Sequence, residues 1–183
     1  MNYLKRVEQQ LHLLHSPSPK GLRNALTALA TTYTDVEPYL RSDREKPYYR
    51  KLLFHNDEVE LLLMNWSQLA CAPHDHGESM GWIQVIDGST VNTVYACNNV
   101  ELPEPLFSKK QQHGSVFYAP KAGIHTMKAV DESLVTLHLY SPPIKNMKVY
   151  DLELCAACIV SEQCGAWWPE EQRQKIKEIQ LRK

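Results

Sequence analysis

Leu4, Val7, Leu11 and Leu14 recur at the spacing that puts side chains on one face of an α-helix. Ser16-Pro17-Ser18-Pro19 interrupts that run, and a second stripe follows with Leu22, Leu26 and Leu29. A shorter third segment is expected around 36–40, limited by Pro38. Residues 1–45 are therefore expected to form a helical N-terminal segment. From about residue 48 the period changes. Runs at 51–54 and 59–65, rich in branched and aromatic residues, flank His55-Asn56-Asp57 and predict a hairpin. A run at 82–86 meets Asp87-Gly88, a strong turn dipeptide, and 90–96 follows it. Runs at 115–118, 125–130 and 134–141 continue the series. The polar stretch 97–112 is expected to be a long loop or irregular hairpin. Residues 169–181 open with Pro169 and acidic residues, which predicts a short C-terminal helix.

Many short strands at this spacing predict a mostly β chain, a barrel or sandwich over 46–150. With 183 residues one core is expected to suffice without disulfide staples. The arrangement expected is one domain over 1–183, its tail at 151–183. A formal net charge of −1 gives no electrostatic footprint for nucleic acid or an anionic membrane. The beginning of the chain breaks into charge at once, unlike a signal peptide, and no stretch approaches the apolar length of a membrane span. Five cysteines form no framework spacing. A reducing, cytoplasmic setting, a small-molecule partner and a monomer are the expectations.

The histidines carry the chemistry. In His74-Asp75-His76 the two imidazoles stand two residues apart, and on a strand such residues share a face. His125 lies on another predicted strand. Three neutral imidazoles on one metal leave coordination positions open, which suits a redox metal that must bind substrate and O2 together. A histidine pair alone also occurs on surface loops by chance, so the flanking spacing matters. After His76 come four residues, Gly81, six residues and Gly88; further on, Gly114, Pro120, Ala122 and His125 keep a second fixed spacing. These resemble the two motifs of the cupin superfamily, a double-stranded β-helix or jelly-roll barrel. Gly81 stands where that family commonly has a fourth, carboxylate ligand, and Ala122 replaces a glycine. The resemblance implies metal ligands His74, His76 and His125. His12, His15, His55 and His113 read as solvated or packing residues.

Three further segments narrow the resemblance: His74-Asp-His-Gly-Glu-Ser79, Leu137-His-Leu-Tyr-Ser-Pro-Pro143 and Tyr48-Tyr-Arg50. Over about 46–150 the chain resembles the cysteine dioxygenases, in the bacterial type. The resemblance implies a non-haem Fe(II) cofactor and oxidation of L-cysteine by O2 to cysteine sulfinic acid. It implies that Arg50, with Tyr48 close by, grips the substrate carboxylate. Thr136, His138 and Tyr140 alternate on one predicted strand and so share a face. The family has a Ser–His–Tyr triad there, and Thr136 keeps the hydroxyl. Animal members carry a cysteine at the Gly81 position, crosslinked to the tyrosine matched by Tyr140; glycine cannot make that thioether. Cys155, Cys158 and Cys164 resemble a partial zinc pattern, though three thiols without a fourth ligand favour free or redox-active cysteines. Cys71 and Cys97 read as small buried residues. The alternatives are a 3-mercaptopropionate dioxygenase, against which Arg50 argues, and a non-catalytic cupin binding or sensor domain. A zinc or manganese isomerase is a further one, against which the missing carboxylate argues.

Overall fold

A computed structural model describes residues 2–96 and 100–182. The expected helices are present as α1 (Tyr3–Leu11), α2 (Pro19–Ala28) and α3 (Tyr33–Val36). Each starts where a side chain satisfies a free backbone N–H. The Asn2 side chain accepts from Leu4 N, Ser18 accepts from Gly21 N with Pro19 opening the helix, and Thr32 and Asp35 form a reciprocal capping box. Val7, Leu11, Leu22 and Leu26 are fully buried. Each such burial is worth roughly 1.5–3 kcal/mol.

Among the described residues nine strands follow: β1 (Tyr48–His55), β2 (Glu60–Trp66), β3 (Met80–Ala96), β4 (Glu104–Gln112), β5 (Val116–Ala119), β6 (Ile124–Ser141), β7 (Lys148–Asp151), β8 (Ala156–Val160) and β9 (Lys175–Gln180). The long strands β3 and β6 pair antiparallel along their length and run through two walls. One wall joins β1, β2, the second half of β6, the first half of β3, and β5. The other starts at β4 and continues through the second half of β3 and the first half of β6. His74 then bridges His125 of β6 to Val149 of β7, which carries on into β8 and β9. This is the cupin-type double-stranded barrel that the sequence motifs resemble. The helices cover one wall from outside: Leu61 and Leu63 of β2 and Leu137 and Leu139 of β6 pack with α1 and α2. Their strand neighbours Leu62, Met64, Trp66 and Tyr140 face the interior instead, as the two-residue period requires.

Three expectations are corrected. Asp87-Gly88 is not a turn: β3 runs straight through it. The ladder shifts register between Val85 and Asp87 and again between Gly88 and Thr90, so the dipeptide serves as a bulge where the strand passes between walls. Gly88 has φ +73°, and a Cβ there would sit 1.9 Å from the Ser133 carbonyl oxygen. The stretch 97–112 is not all loop. β4 occupies 104–112 as an edge strand, and its polar composition reflects exposure to solvent, only Gln111 being buried. Cys97 lies outside the described residues. The C-terminal helix is absent: a short 3₁₀ turn, Gln172–Gln174, leads into β9. Backbone pairing with the exposed edge of β8 outweighs the helical propensity of its Lys, Glu and Gln residues. Among the described residues no helix is long and apolar enough to cross a membrane.

Candidate metal centre

The barrel's interior brings together what the chain separates by fifty residues. His74, His76 and His125 are buried, and their ligand nitrogens all lie within 4.8 Å of one another. Ring centroids are 4.6–5.1 Å apart. His74 and His125 are held by paired backbones: each accepts the other's N–H, at 3.1 and 3.0 Å. His76 lies just beyond that bridge, not on a strand. Asp75, between the two imidazoles, points away. Its Oδ1 accepts from the Gly77 and Lys148 backbone N–H groups at 2.9 and 3.3 Å, and its Oδ2 receives the Tyr150 hydroxyl at 3.5 Å.

Hydrogen bonds orient the rings. His74 Nδ1 donates to Ala72 O at 2.9 Å and His125 Nδ1 donates to Asn92 Oδ1 at 2.7 Å. Both tautomers therefore leave Nε2 as a lone-pair donor. His125 Nε2 and His76 Nδ1 are buried without a hydrogen-bond partner. Burial holds all three rings below the usual imidazole range, so they are neutral. Unpartnered buried nitrogens on neutral, converging rings fit a transition metal, and no carboxylate belongs to the group. At the vacant carboxylate position, Gly81 lies against Tyr140. An added Cβ would meet Tyr140 Cδ1 at 2.2 Å.

A proton chain runs along the interior face of β6. Trp66 Nε1 donates to Thr136 Oγ1 at 2.8 Å. Thr136 Oγ1 lies 2.7 Å from His138 Nε2, His138 Nδ1 lies 3.1 Å from the Tyr140 hydroxyl, and that hydroxyl lies 3.2 Å from His76 Nε2. Indole only donates, so Thr136 accepts from Trp66. The remaining links connect in either tautomer of His138: with the proton on Nδ1, His138 donates to the Tyr140 oxygen and the phenol proton is free to face His76 Nε2. Burial lowers His138 to about 3 and pushes the Tyr140 phenol well above its usual range, so both are neutral. Sequence reasoning found Thr136, His138 and Tyr140 but missed Trp66 and Asn92. The alternation of Leu62, Met64 and Trp66 on β2 was the available signal for the first.

Two spaces that share lining residues adjoin these groups. The inner cavity, about 20 Å³, is lined by the three metal-site histidines, His138, Tyr140, Tyr48 and apolar side chains. The outer chamber, about 310 Å³, lies beyond a shared wall of Arg50, Leu62, Ile144 and Met147. Arg50 is half-buried at that wall, and its Nη2 donates to Glu162 O at 2.6 Å. Tyr48 is buried, and its hydroxyl accepts from Ala166 N at 2.7 Å. Burial pushes the Tyr48 phenol up to about 12.

Among the described residues the cysteines form no zinc site. Cys71, Cys155, Cys158 and Cys164 are free and buried, and among the described residues the histidine trio is the one group able to hold a metal. Cys158 and Cys164 sit in an apolar cluster with Met147, Val149 and Val160. Burial pushes the Cys164 thiol up to about 11 and raises Cys158, which disfavours the reactive thiolate. His113 Nδ1 bonds to Ile86 O at 2.7 Å, a packing role as expected.

The comparisons with known proteins agree with this geometry. The family described as cysteine dioxygenase type I matches residues 23–153. Proteins named cysteine dioxygenase type 1 from Danio rerio and Homo sapiens are each 22% identical to this chain, across 81% of it and 77% of theirs. An uncharacterized conserved protein with a double-stranded β-helix domain from Klebsiella pneumoniae is 14% identical and superposes with a TM-score of 0.52, over 62% of this chain and 87% of that one. This likeness shows the fold.

Proposed function

Because the chain belongs to the cysteine dioxygenase type I family, we propose that it is an iron(II) enzyme that oxidises L-cysteine with O2 to cysteine sulfinic acid. The observation that carries this reading is the group of three neutral imidazoles with no carboxylate among them, facing the Tyr140 hydroxyl 3.2 Å from His76 Nε2. His74, His76 and His125 would hold the metal. When bound, iron supplies a positive centre that lowers a thiol's pKa and a redox partner for O2.

This chain's own residues do the rest. Arg50 meets the substrate carboxylate; a guanidinium stays charged at any relevant pH and matches a carboxylate in bidentate geometry. Tyr48 closes the wall beside it. With the head group held at Arg50, the thiol is directed into the inner cavity, so orientation is fixed before reaction. Leu62, Met64 and Met127 keep that cavity apolar. Tyr140 offers its hydroxyl proton there, and Thr136 and His138, backed by Trp66, keep that proton aimed at the site. In the net reaction sulfur loses four electrons, O2 gains four, and both oxygen atoms end on sulfur. No outside reductant is consumed.

Mass spectrometry of an aerobic incubation of the iron-loaded protein with L-cysteine tests the reading. The expected product is heavier by two oxygen atoms, both labelled when 18O2 is supplied. Disulfide as the sole product, or label from water, would overturn it.

A further inference from the structure

The three metal-site rings differ in what stands behind them. His74 Nδ1 donates to a backbone carbonyl, Ala72 O, at 2.9 Å. His76 Nδ1 is buried with no hydrogen-bond partner. His125 alone directs its Nδ1 to a side-chain oxygen, Asn92 Oδ1, at 2.7 Å. The strand register makes that contact. Val94 of β3 stands opposite His125 of β6, and Asn92 stands two residues along on the same face, a diagonal neighbour within reach of the ring. Asn92 is itself buried, 7% exposed. The contact has one polarity: a metal on Nε2 leaves the proton on Nδ1, so Asn92 must present its oxygen. That oxygen carries no formal charge. A carboxylate in its place would draw the ring proton and make the imidazole a stronger donor to the metal. Among the described residues no carboxylate accepts from any of the three rings; Asp75, which lies between two of them in sequence, turns to the Gly77 and Lys148 backbone instead.

We propose that Asn92 is a positioning residue that sets both the aim and the redox poise of the metal centre. Its amide oxygen fixes the His125 ring with Nε2 towards the metal. By staying uncharged, it withholds the negative charge that would favour iron(III) over iron(II). Reaction with O2 needs the reduced metal, so a site that favours iron(II) stays competent in air until a thiol arrives. The proposal rests on the reading of His74, His76 and His125 as iron ligands.

Two replacements of nearly equal shape separate aim from poise. Asn92→Leu removes the acceptor. Asn92→Asp keeps the acceptor and adds a charge, which the ring N–H and the bound metal hold ionised. Iron(II) affinity is measured in the full chain by competition with a chelator under nitrogen, and the iron(III)/iron(II) midpoint potential by spectroelectrochemistry of the loaded protein. Asn92→Leu is expected to bind iron(II) roughly tenfold more weakly, the scale of a lost partner behind a ligand. Asn92→Asp is expected to keep the wild-type affinity and to favour iron(III) roughly tenfold more, which lowers the one-electron potential by about 59 mV. Its iron(II) form should also oxidise faster in air without substrate. Equal loss of iron in both variants, full affinity in Asn92→Leu, or a wild-type potential in Asn92→Asp would overturn the proposal. A wild type that oxidises cysteine while the Asn92→Asp potential stays put removes this role and leaves the dioxygenase reading intact. The expected affinities and potentials in a protein that oxidises no thiol do the reverse.

Discussion

The inner cavity and the outer chamber share four wall residues, yet they are built in opposite ways. Around the inner cavity, neutral groups satisfy one another through short, directional hydrogen bonds: Ala72 to His74, Asn92 to His125, and Trp66 through Thr136 and His138 to Tyr140. Burial keeps His74, His76, His125, His138 and Tyr140 uncharged. The outer chamber is lined by formal charges, among them Arg50 and Glu60, each bonded to a backbone group. A neutral, preorganised pocket suits a metal ion and a reacting sulfur, because nothing in it must reorganise when charge arrives. A chamber lined by charges of both signs suits capture of a charged molecule from water. On the proposed reading, chemistry and recognition are separated by one layer of side chains.

Substitutions on the two sides should fail differently. The largest effect is expected from His125→Ala. It removes one nitrogen ligand and leaves Asn92 without its donor, so iron content measured by mass spectrometry should fall below about a tenth of the wild-type value, and turnover with it. Full iron loading in this variant would refute the ligand assignment. At the boundary, Arg50→Ala should leave iron content unchanged and lower kcat/KM for cysteine roughly a hundredfold, the scale of a lost bidentate charge pair. If cysteamine, which lacks a carboxylate, suffers the same loss, Arg50 does not read the carboxylate.

The same division explains what could be read from the chain. Thr136, His138 and Tyr140 were legible because strand alternation places them on one face, and His74, His76 and His125 because their spacings match known motifs, although His76 itself lies off the strand. Trp66 and Asn92 were not, since their importance depends on which strands become neighbours. Glu60 lies at a strand start, where nothing local distinguishes a chamber wall from an exposed edge. Arg50 and Tyr48 were legible by resemblance, but their partners Glu162 and Ala166 come from the far end of the chain, a segment expected to lead into a helix. That error has a physical source. Residues 175–180 have the composition of a helix, and only the open edge of β8, itself a long-range product of folding, makes them a strand. Asp87-Gly88 misled for a related reason: a dipeptide that fits a hairpin turn also fits a bulge, and the partner strand decides.

The smallest expected effect probes the neutrality of the inner cavity through stability. His138 is held at about 3 in the folded protein, against roughly 6.5 in an unfolded chain. Above pH 6.5 both states carry the neutral ring and the difference contributes nothing. As pH falls below 6.5 the unfolded chain takes up a proton that the folded protein refuses, so stability declines until the pH reaches about 3. For one such group the slope is roughly 1.4 kcal/mol per pH unit. The metal-free protein should therefore lose stability between pH 6.5 and 5.5, measured by urea denaturation, with His74, His76 and His125 adding in the same direction. His138→Gln cannot titrate, so its slope over that interval should be shallower by about the contribution of one group. Identical slopes for wild type and variant would mean that His138 is protonated in the folded state, with both ring nitrogens donating, one to Thr136 Oγ1 and the other to the Tyr140 oxygen.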